Sequence, residues 1–475
     1  RWLLTDLLKK EWGFKGIVVS DWMDIERMND FHGTAPTVKE ACLTGVNAGI
    51  GMHMHGPGFA EYVLEGIREN RIDPTLINAA VGRILEAKFR LGLFENPFVA
   101  PGKVGEIVFT ATHQQTALEI ARRSVVLLKN EKGLLPLQKG RYKRIFVTGH
   151  NADNQSILGD WSFEQPDNRV TTVLEGIRQQ DSDAEIDYQD IGRNVQGLTP
   201  QQVDEATLRA RKADLAILVV GENSMRYFWK EKTCGENSDR YELSLPGLQE
   251  QLVEAVVATG VPTVVVLVNG RPLTTEWIAE NVPAILEAWE PGSLGGQAVA
   301  EILYGAICPS AKLPITIPRS TGQIGCYYNH KFWANRFPYA TGKSDPLYPF
   351  GYGLSYTTFS YSPVRLSAAR MPTDGAATAT VDVTNTGDRE AEEVVQLYIR
   401  DDYSSATRPV KELKGFRRIS LKPGETRSVS FDILPETLAF YDADMKYGVE
   451  KGTFTIMIGS SSRTDDLQSV SLSVE

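Results

Sequence analysis

The chain has 475 residues, a formal charge of −10, 42% hydrophobic residues and 23% charged residues. Its length suggests about three domains of ~150 residues each. The composition excludes a disordered chain, and the acidity argues against a general binder of nucleic acid or anionic membrane. No apolar run approaches the ~18 residues of a membrane-spanning helix. The four cysteines, Cys42, Cys234, Cys308 and Cys326, form no CxxC pair and lack zinc-finger spacing to a histidine. Free thiols and no metal site are expected, with one disulfide left open. The first residue is Arg1 and no signal peptide is visible, so the N-terminus is expected to be processed or truncated.

In chain order, Trp2 to Trp12 has helical spacing, and Gly13 to Gly16 is a turn. Gly16-Ile17-Val18-Val19-Ser20-Asp21 predicts a strand buried on both faces of a parallel sheet. Helices are predicted over Thr37 to Ala48 and Phe59 to Arg68, around a strand-like Gly49-Ile50-Gly51-Met52. Another runs from Asp73-Pro74 to Leu91, stopped by Gly92. This is a β/α repeat that begins in its middle. Two strands do not close a barrel, so the rest of the unit is expected upstream or these elements dock on the next domain.

Phe94 to Gly105, with Pro97, Pro101, Gly102 and Gly105, reads as a linker. A helix over Thr112 to Leu128 then leads into a strand at Lys143 to Gly149. Helices follow at Thr172 to Gln180, Gln201 to Lys212, Gly247 to Thr259 and Gly296 to Leu303. Strands are predicted at Ala216 to Gly221, Thr263 to Asn269 and Ala284 to Trp289. The alternation predicts an α/β domain with a mostly parallel sheet. Pro309 to Gly353 is turn-rich and aromatic (Tyr327, Tyr328, Phe332, Trp333, Phe337, Tyr348 and Phe350 among others) and reads as a connecting strap. From Phe359 onward a period of two takes over, as in Ala379, Val381, Val383 and in Val395, Leu397, Ile399. That pattern predicts an antiparallel β-sandwich.

Two carboxyls stand out. Asp21 ends a predicted buried strand, and the carboxyl ends of parallel strands form the active-site face of such folds. The alternative is a helix N-cap. The adjacent Trp22 favours chemistry, since an aromatic beside a carboxylate can stack on a sugar ring. Glu236 lies in the segment Glu222 to Leu243, far longer than the roughly two to six residues usual between a strand and the next helix. That loop carries Tyr227, Phe228, Trp229, Cys234, Gly235, Asp239 and Arg240. Glu236 reads either as a general acid or as a surface partner of Arg240. Two carboxyls on separate elements are what glycoside hydrolysis needs, ~5–5.5 Å apart in a retaining enzyme. Phosphate-loop, dinucleotide, HExxH and GxSxG motifs are absent or incomplete. His53 and His55 have no evident third metal ligand.

These residues resemble a family. Lys15-Gly16-Ile17-Val18-Val19-Ser20-Asp21-Trp22 resembles the nucleophile motif of glycoside hydrolase family 3. Phe89-Arg90-Leu91-Gly92-Leu93-Phe94 is similar to the end of its barrel domain, and Ser124 to Asn130 to the start of its second domain. Gly235-Glu236-Asn237-Ser238-Asp239-Arg240 resembles its acid/base segment. Leu347 to Tyr356 is similar to the hallmark before its C-terminal domain. The motifs span essentially the whole chain in order.

The resemblance implies the C-terminal part of a (β/α)8 TIM barrel over 1–98 and a linker over 99–115. An α/β sandwich with a mostly parallel sheet would cover 116–320, a strap 321–358, and an all-β fibronectin type III-like sandwich 359–475. It implies a retaining, exo-acting β-glucosidase with Asp21 as nucleophile and Glu236 as acid/base. Trp22, Met54, Trp161, Trp229 and Arg240 would contact substrate, an oligosaccharide or an aryl or alkyl β-glycoside. No cofactor, nucleic acid or membrane partner is implied, a homodimer is admitted, and the location would be periplasmic or extracellular. Gly51 departs from the acidic residue often found there, and most of the barrel is missing from this sequence. The competing readings are a β-xylosidase or other family 3 specificity, a non-catalytic carbohydrate-binding or scaffolding product, and a nucleotide-binding α/β protein.

Overall fold

The structure, a computed structural model, describes residues 1–332 and 338–475, with Phe228 described in its backbone only. Trp333 and Phe337 of the strap, and the Phe228 side chain, lie outside the described residues. The chain divides into two compact units, Arg1–Val108 and Phe109–Glu475.

In the first unit, a wide helical segment, Trp2–Glu11, is followed by α1 (Asp24–Asp30), α2 (Val38–Ala48), α3 (Phe59–Arg68) and α4 (Pro74–Arg90). The boundaries have local causes. Thr37 caps α2 by accepting from the Glu40 N–H at 3.2 Å, and Asp73 caps α4 through the Thr75 N–H at 2.9 Å, with Pro74 in the first turn. Small apolar clusters hold the helices together: Ile25 with Ala41 and Cys42, and Leu43 with Val46, Val63 and Ile72. Thr5 Oγ1 donates to the Ala48 carbonyl at 2.7 Å and pins the first segment to the end of α2.

The two predicted strands here are reduced to one parallel bridge, Val19 to Met52, with the Ser20 N–H bonded to the Met52 carbonyl at 3.0 Å. Val19 and Met52 are each 45% exposed, where the sequence predicts burial on both faces. A pair of segments with no further strand beside it has open edges and open faces, so the apolar run is not covered within this unit.

The second unit opens with a helix, Ala111–Arg122. Its first layer is a six-stranded sheet: β1 (Val126–Asn130), β2 (Arg144–Thr148), β3 (Glu185–Gln189), β4 (Leu215–Gly221), β5 (Thr263–Val268) and β6 (Ala284–Glu287). The spatial order is β1-β6-β5-β4-β2-β3, parallel except for the β1–β6 pair. In β4, Leu215, Ile217 and Val219 enter one apolar layer, while Ala216, Leu218 and Val220 enter the other. Helices Val173–Gln180 and Gly295–Leu303 supply the first layer through Leu174, Ile177, Val299 and Ile302. Helices Pro200–Ala210, Gln249–Val257 and Glu276–Asn281 supply the second through Ala206, Leu252 and Ile278. Double-sided burial explains why β4 and β5 are unbroken apolar runs.

Two strands differ from the sequence expectation. The helix predicted to Leu128 stops at Arg122, and Val126–Asn130 is β1. Its apolar run is buried among Leu286, Leu303 and their neighbours, which favours an extended segment over a longer helix. β3, EIDYQ, was not predicted because it is a polar edge strand. Its Asp187 carboxylate takes Arg144 at 2.9 Å and Arg209 at 3.1 Å.

The second layer system is a β-sandwich. One sheet orders Thr426–Ile433, Ala377–Asn385 and Phe359–Tyr361, and the other Glu412–Leu421, Ala391–Asp401, Gly452–Gly459, Leu467–Val474 and Arg370–Met371. Val381, Val383, Val395, Leu397, Phe431 and Ile456 face one another in its core. The strap touches both halves of this unit. Tyr352 donates to the Leu128 carbonyl at 3.2 Å, and the Gln396 amide donates to the Gly351 carbonyl at 3.0 Å.

The sheet positions the functional loops. Counting parallel strands only, the chain enters at β2, goes outward to β3, then crosses back to β4 on the other side. The reversal lies between β2 and β4, and the long connections after both leave from their carboxyl ends. Gly221 ends β4 at φ 148°, and a Cβ there would sit 1.9 Å from the Val268 carbonyl oxygen, so only glycine lets the chain leave the sheet here.

Candidate active site

In the first unit, Asp21 follows the Val19–Met52 bridge directly and is exposed. Its carboxylate accepts the Trp22 N–H at 2.7 Å. It caps no helix: α1 has Met23 at its N-cap, in the left-handed region at φ 59°. Ser20 Oγ donates to the Asp21 carbonyl at 3.0 Å and accepts the Met54 N–H at 3.2 Å, tying together the two segments that present Asp21 and Met54. The Trp22 ring packs 4.2 Å from His55. His53 and His55 share a partner that sequence spacing does not indicate, since Glu26 lies 3.0 Å from His53 Nε2 and 3.8 Å from His55 Nδ1.

In the second unit, Glu236 lies on the connection after β4, with about half of its side chain exposed. Its carboxylate pairs with the Arg226 guanidinium, not with Arg240. Asp160, from the connection after β2, organises the surroundings. It accepts the Glu236 N–H at 2.6 Å and the Trp161 N–H at 2.8 Å, and lies 3.1 Å from Arg226 and 3.2 Å from Lys232. Lys232 also donates to the Glu236 carbonyl at 3.0 Å. Gly235 permits the approach: it sits at φ 85°, and a Cβ would come within 2.5 Å of Asp160 Oδ2. The Arg226 guanidinium lies 3.5 Å from the Trp161 ring centre and 5.7 Å from that of Trp229, both exposed aromatics.

Beneath this cluster the loop is anchored by buried charge. The Glu222 side chain is fully buried and meets Arg240 at 3.1 Å and Arg271 at 3.3 Å. Burial pushes its carboxyl up against the pull of Arg271 and Arg240. Arg271 also donates to the Thr233 and Ser238 carbonyls, at 3.0 and 2.6 Å, clasping both sides of the segment that carries Glu236. Glu290 accepts the Ser224 hydroxyl, and burial raises its carboxyl too. Glu287, at the end of β6, is pushed up to about 8 by complete burial, although Trp289 N–H and Asn269 donate to it.

Residues 1–87 match the glycosyl hydrolase family 3 N-terminal domain, 125–356 its C-terminal domain, and 393–462 a fibronectin type III-like domain. A β-xylosidase of Formosa agariphila is 40% identical over all of this chain and 67% of its own length. The chain belongs to glycoside hydrolase family 3. A periplasmic β-glucosidase of Salmonella typhimurium is also 40% identical, over 97% of the chain and 64% of that protein. A solved β-glucosidase from Erythrobacter marinus superposes on the whole chain with a TM-score of 0.90 at 36% identity, 65% of that structure being covered. The chain thus spans about two thirds of the length of these relatives.

As in its family, the chain combines the C-terminal part of a barrel, an α/β sandwich and a fibronectin type III-like sandwich. Of the residues singled out from the sequence, the first unit holds Asp21, Trp22 and Met54 close together. The second gathers Glu236, Trp161 and Trp229. Arg240 does not form the surface pair with Glu236 that the sequence also allowed, because the fully buried carboxylate of Glu222 takes it at 3.1 Å. Sequence reasoning missed Asp160, Arg226, Lys232 and Glu26. One signal was available for Asp160: Asp160-Trp161 repeats the Asp21-Trp22 pair, and in both the tryptophan N–H bonds the preceding carboxylate.

Proposed function

We propose that the protein carrying this chain is a retaining, exo-acting β-glucosidase. The observation that carries the reading is the paired construction of Asp21 and Glu236. Each carboxylate follows a parallel strand segment at its carboxyl end, each is exposed, and each stands beside aromatic side chains suited to sugar rings. Asp21 attacks the anomeric carbon while Glu236 gives its proton to the departing oxygen, leaving a glycosyl ester on Asp21. Glu236, now a carboxylate, takes a proton from water, and the resulting hydroxide displaces Asp21 from the sugar. Asp160 holds the Glu236 backbone in place for both steps. Trp22 and Met54 are the proposed sugar contacts, and Trp161 and Trp229 the proposed leaving-group contacts. The substrates are oligosaccharides or aryl and alkyl β-glycosides.

Replacing Glu236 with Ala tests the acid assignment. Turnover of a glycoside with a poor leaving group falls by about 10²–10⁴-fold, while an activated aryl glycoside loses far less in its glycosylation step. Equal losses on both would remove Glu236 from the role. The second reading, a β-xylosidase, is favoured by the Formosa relative. Aryl β-glucoside and aryl β-xyloside turnover, compared side by side, separates the two. A periplasmic or extracellular location is supported by the Salmonella relative.

A further inference from the structure

The connections that leave the carboxyl ends of β2, β4 and β5 meet around one side chain, Glu290, on the connection after β6. Its Oε1 accepts the Ser224 hydroxyl and lies 4.0 Å from Cys234 Sγ. Ser224 stands on the outgoing limb of the loop after β4, and Cys234 on the returning limb, just before Gly235 and Glu236. The limbs are paired there, the Thr233 N–H donating to the Asn223 carbonyl at 2.8 Å. Oε2 faces the connection after β2, where a Cβ on Gly159 would stand 2.7 Å from it. A Cβ on Gly270, after β5, would stand 3.3 Å from Oε1.

The residue after Gly159 is Asp160, which holds the Glu236 N–H at 2.6 Å. Glu290 therefore reaches the segment of Glu236 by two routes, through Asp160 and through the root of the Glu236 loop. Burial and the neighbouring Asp160 carboxylate push the Glu290 carboxyl up, against the pull of the Ser224 hydroxyl, the Asp160 N–H and the Lys232 ammonium. An apolar side chain would fill this space without the cost of desolvating a carboxyl. A carboxylate fixes hydrogen-bond donors on two connections at once, which filling the space does not do. Among the described residues no hydrogen bond or ion pair joins Glu290 to Glu236 itself, so any effect on proton transfer passes through the backbone.

We propose that Glu290 is a positioning residue for Glu236: its two oxygens set the spacing between the Asp160 connection and the loop that carries Glu236. The proposal rests on the reading of Glu236 as the general acid. Holding a reacting group to within about 1 Å is worth roughly 10²-fold in rate.

The test compares kcat/KM, which reports glycosylation, for a dinitrophenyl glycoside and a methyl glycoside of the same sugar, on the whole protein. Glu290→Ala is expected to lower the methyl glycoside by about 10²-fold and to leave the dinitrophenyl glycoside near the parent, since a good leaving group needs little help from an acid. Glu290→Gln, which keeps the shape and one acceptor oxygen, falls between. Ser224→Ala shifts the ratio in the same direction by less. In a Glu236→Ala background, Glu290→Ala adds no further loss on the methyl glycoside, because the two act on one step. Melting temperatures control for folding, and if Glu290→Ala does not fold, Glu290→Gln and Ser224→Ala decide in the same terms. Equal losses on both glycosides, a ratio unmoved in the variants that fold, or a loss that adds to that of Glu236→Ala would overturn the proposal. If Glu236→Ala alone slows both glycosides equally, the acid reading fails and the proposal falls with it. If Glu236→Ala is selective and the Glu290 variants are not, the proposal alone fails.

Discussion

Asp160 is the residue on which the geometry around Glu236 converges. It receives two backbone N–H groups and two cations, so its loss frees the Glu236 main chain and leaves Arg226 and Lys232 without their shared anion. Asp160→Ala is expected to lower kcat by about 10²-fold, the cost of displacing a reacting group by about 1 Å. KM for small substrates should change little, because Asp160 acts through Glu236. Steady-state kinetics with circular dichroism as a folding control checks this, and an unchanged kcat would mean the clamp is dispensable. Residue-scale features were unevenly legible. Asp21 and Glu236 stood out because each sits at a break in a regular pattern, a strand end and an overlong loop. Arg226 did not, since no spacing rule connects it to a carboxylate ten positions on. Glu222 was only the first residue of the overlong loop, and only the folded chain brings Arg240 and Arg271 onto it.

At the scale of elements, the connection after β4 is held by buried ions. Removing Glu222 leaves two guanidiniums facing each other without an anion, and such losses cost about 3–5 kcal/mol. Glu222→Ala is therefore expected to lower the urea midpoint of the second unit's unfolding by an amount equivalent to about 3 kcal/mol or more. β6 makes a prediction about pH. The folded Glu287 carboxyl titrates at about 8, against 4.5 ordinarily, so the native state holds this proton more tightly than the unfolded chain does. Its contribution is complete below about pH 4.5 and is lost as pH rises through about 8. Burial shifts Glu222 and Glu290 in the same direction. Stability should thus fall between pH 5 and 8, and Glu287→Gln should flatten that slope, as urea midpoints across the range will show. The central strands and most helices were legible because double-sided burial writes continuous apolar runs and capping residues mark helix starts. β3 was not, because an edge strand that pairs Asp187 with Arg144 and Arg209 gains its stability from partners remote in sequence. β1 was read as helix because a short apolar run has no periodicity of its own.

For the whole molecule, the three-part organisation was legible from shifts in period, from helical spacing to alternating α/β to strict alternation of two. The exposed Val19–Met52 bridge was not, because burial of a strand depends on what lies beside it rather than on its own residues. The account rests on Asp21 forming a covalent bond to the sugar. The decisive measurement is intact mass spectrometry and peptide mapping of the whole protein after incubation with 2-deoxy-2-fluoro-β-glucosyl fluoride. One adduct per molecule, mapped to Asp21 and absent in Asp21→Ala, is the predicted result. An adduct mapped to any other residue, or none with either this reagent or its xylosyl counterpart, would contradict the account.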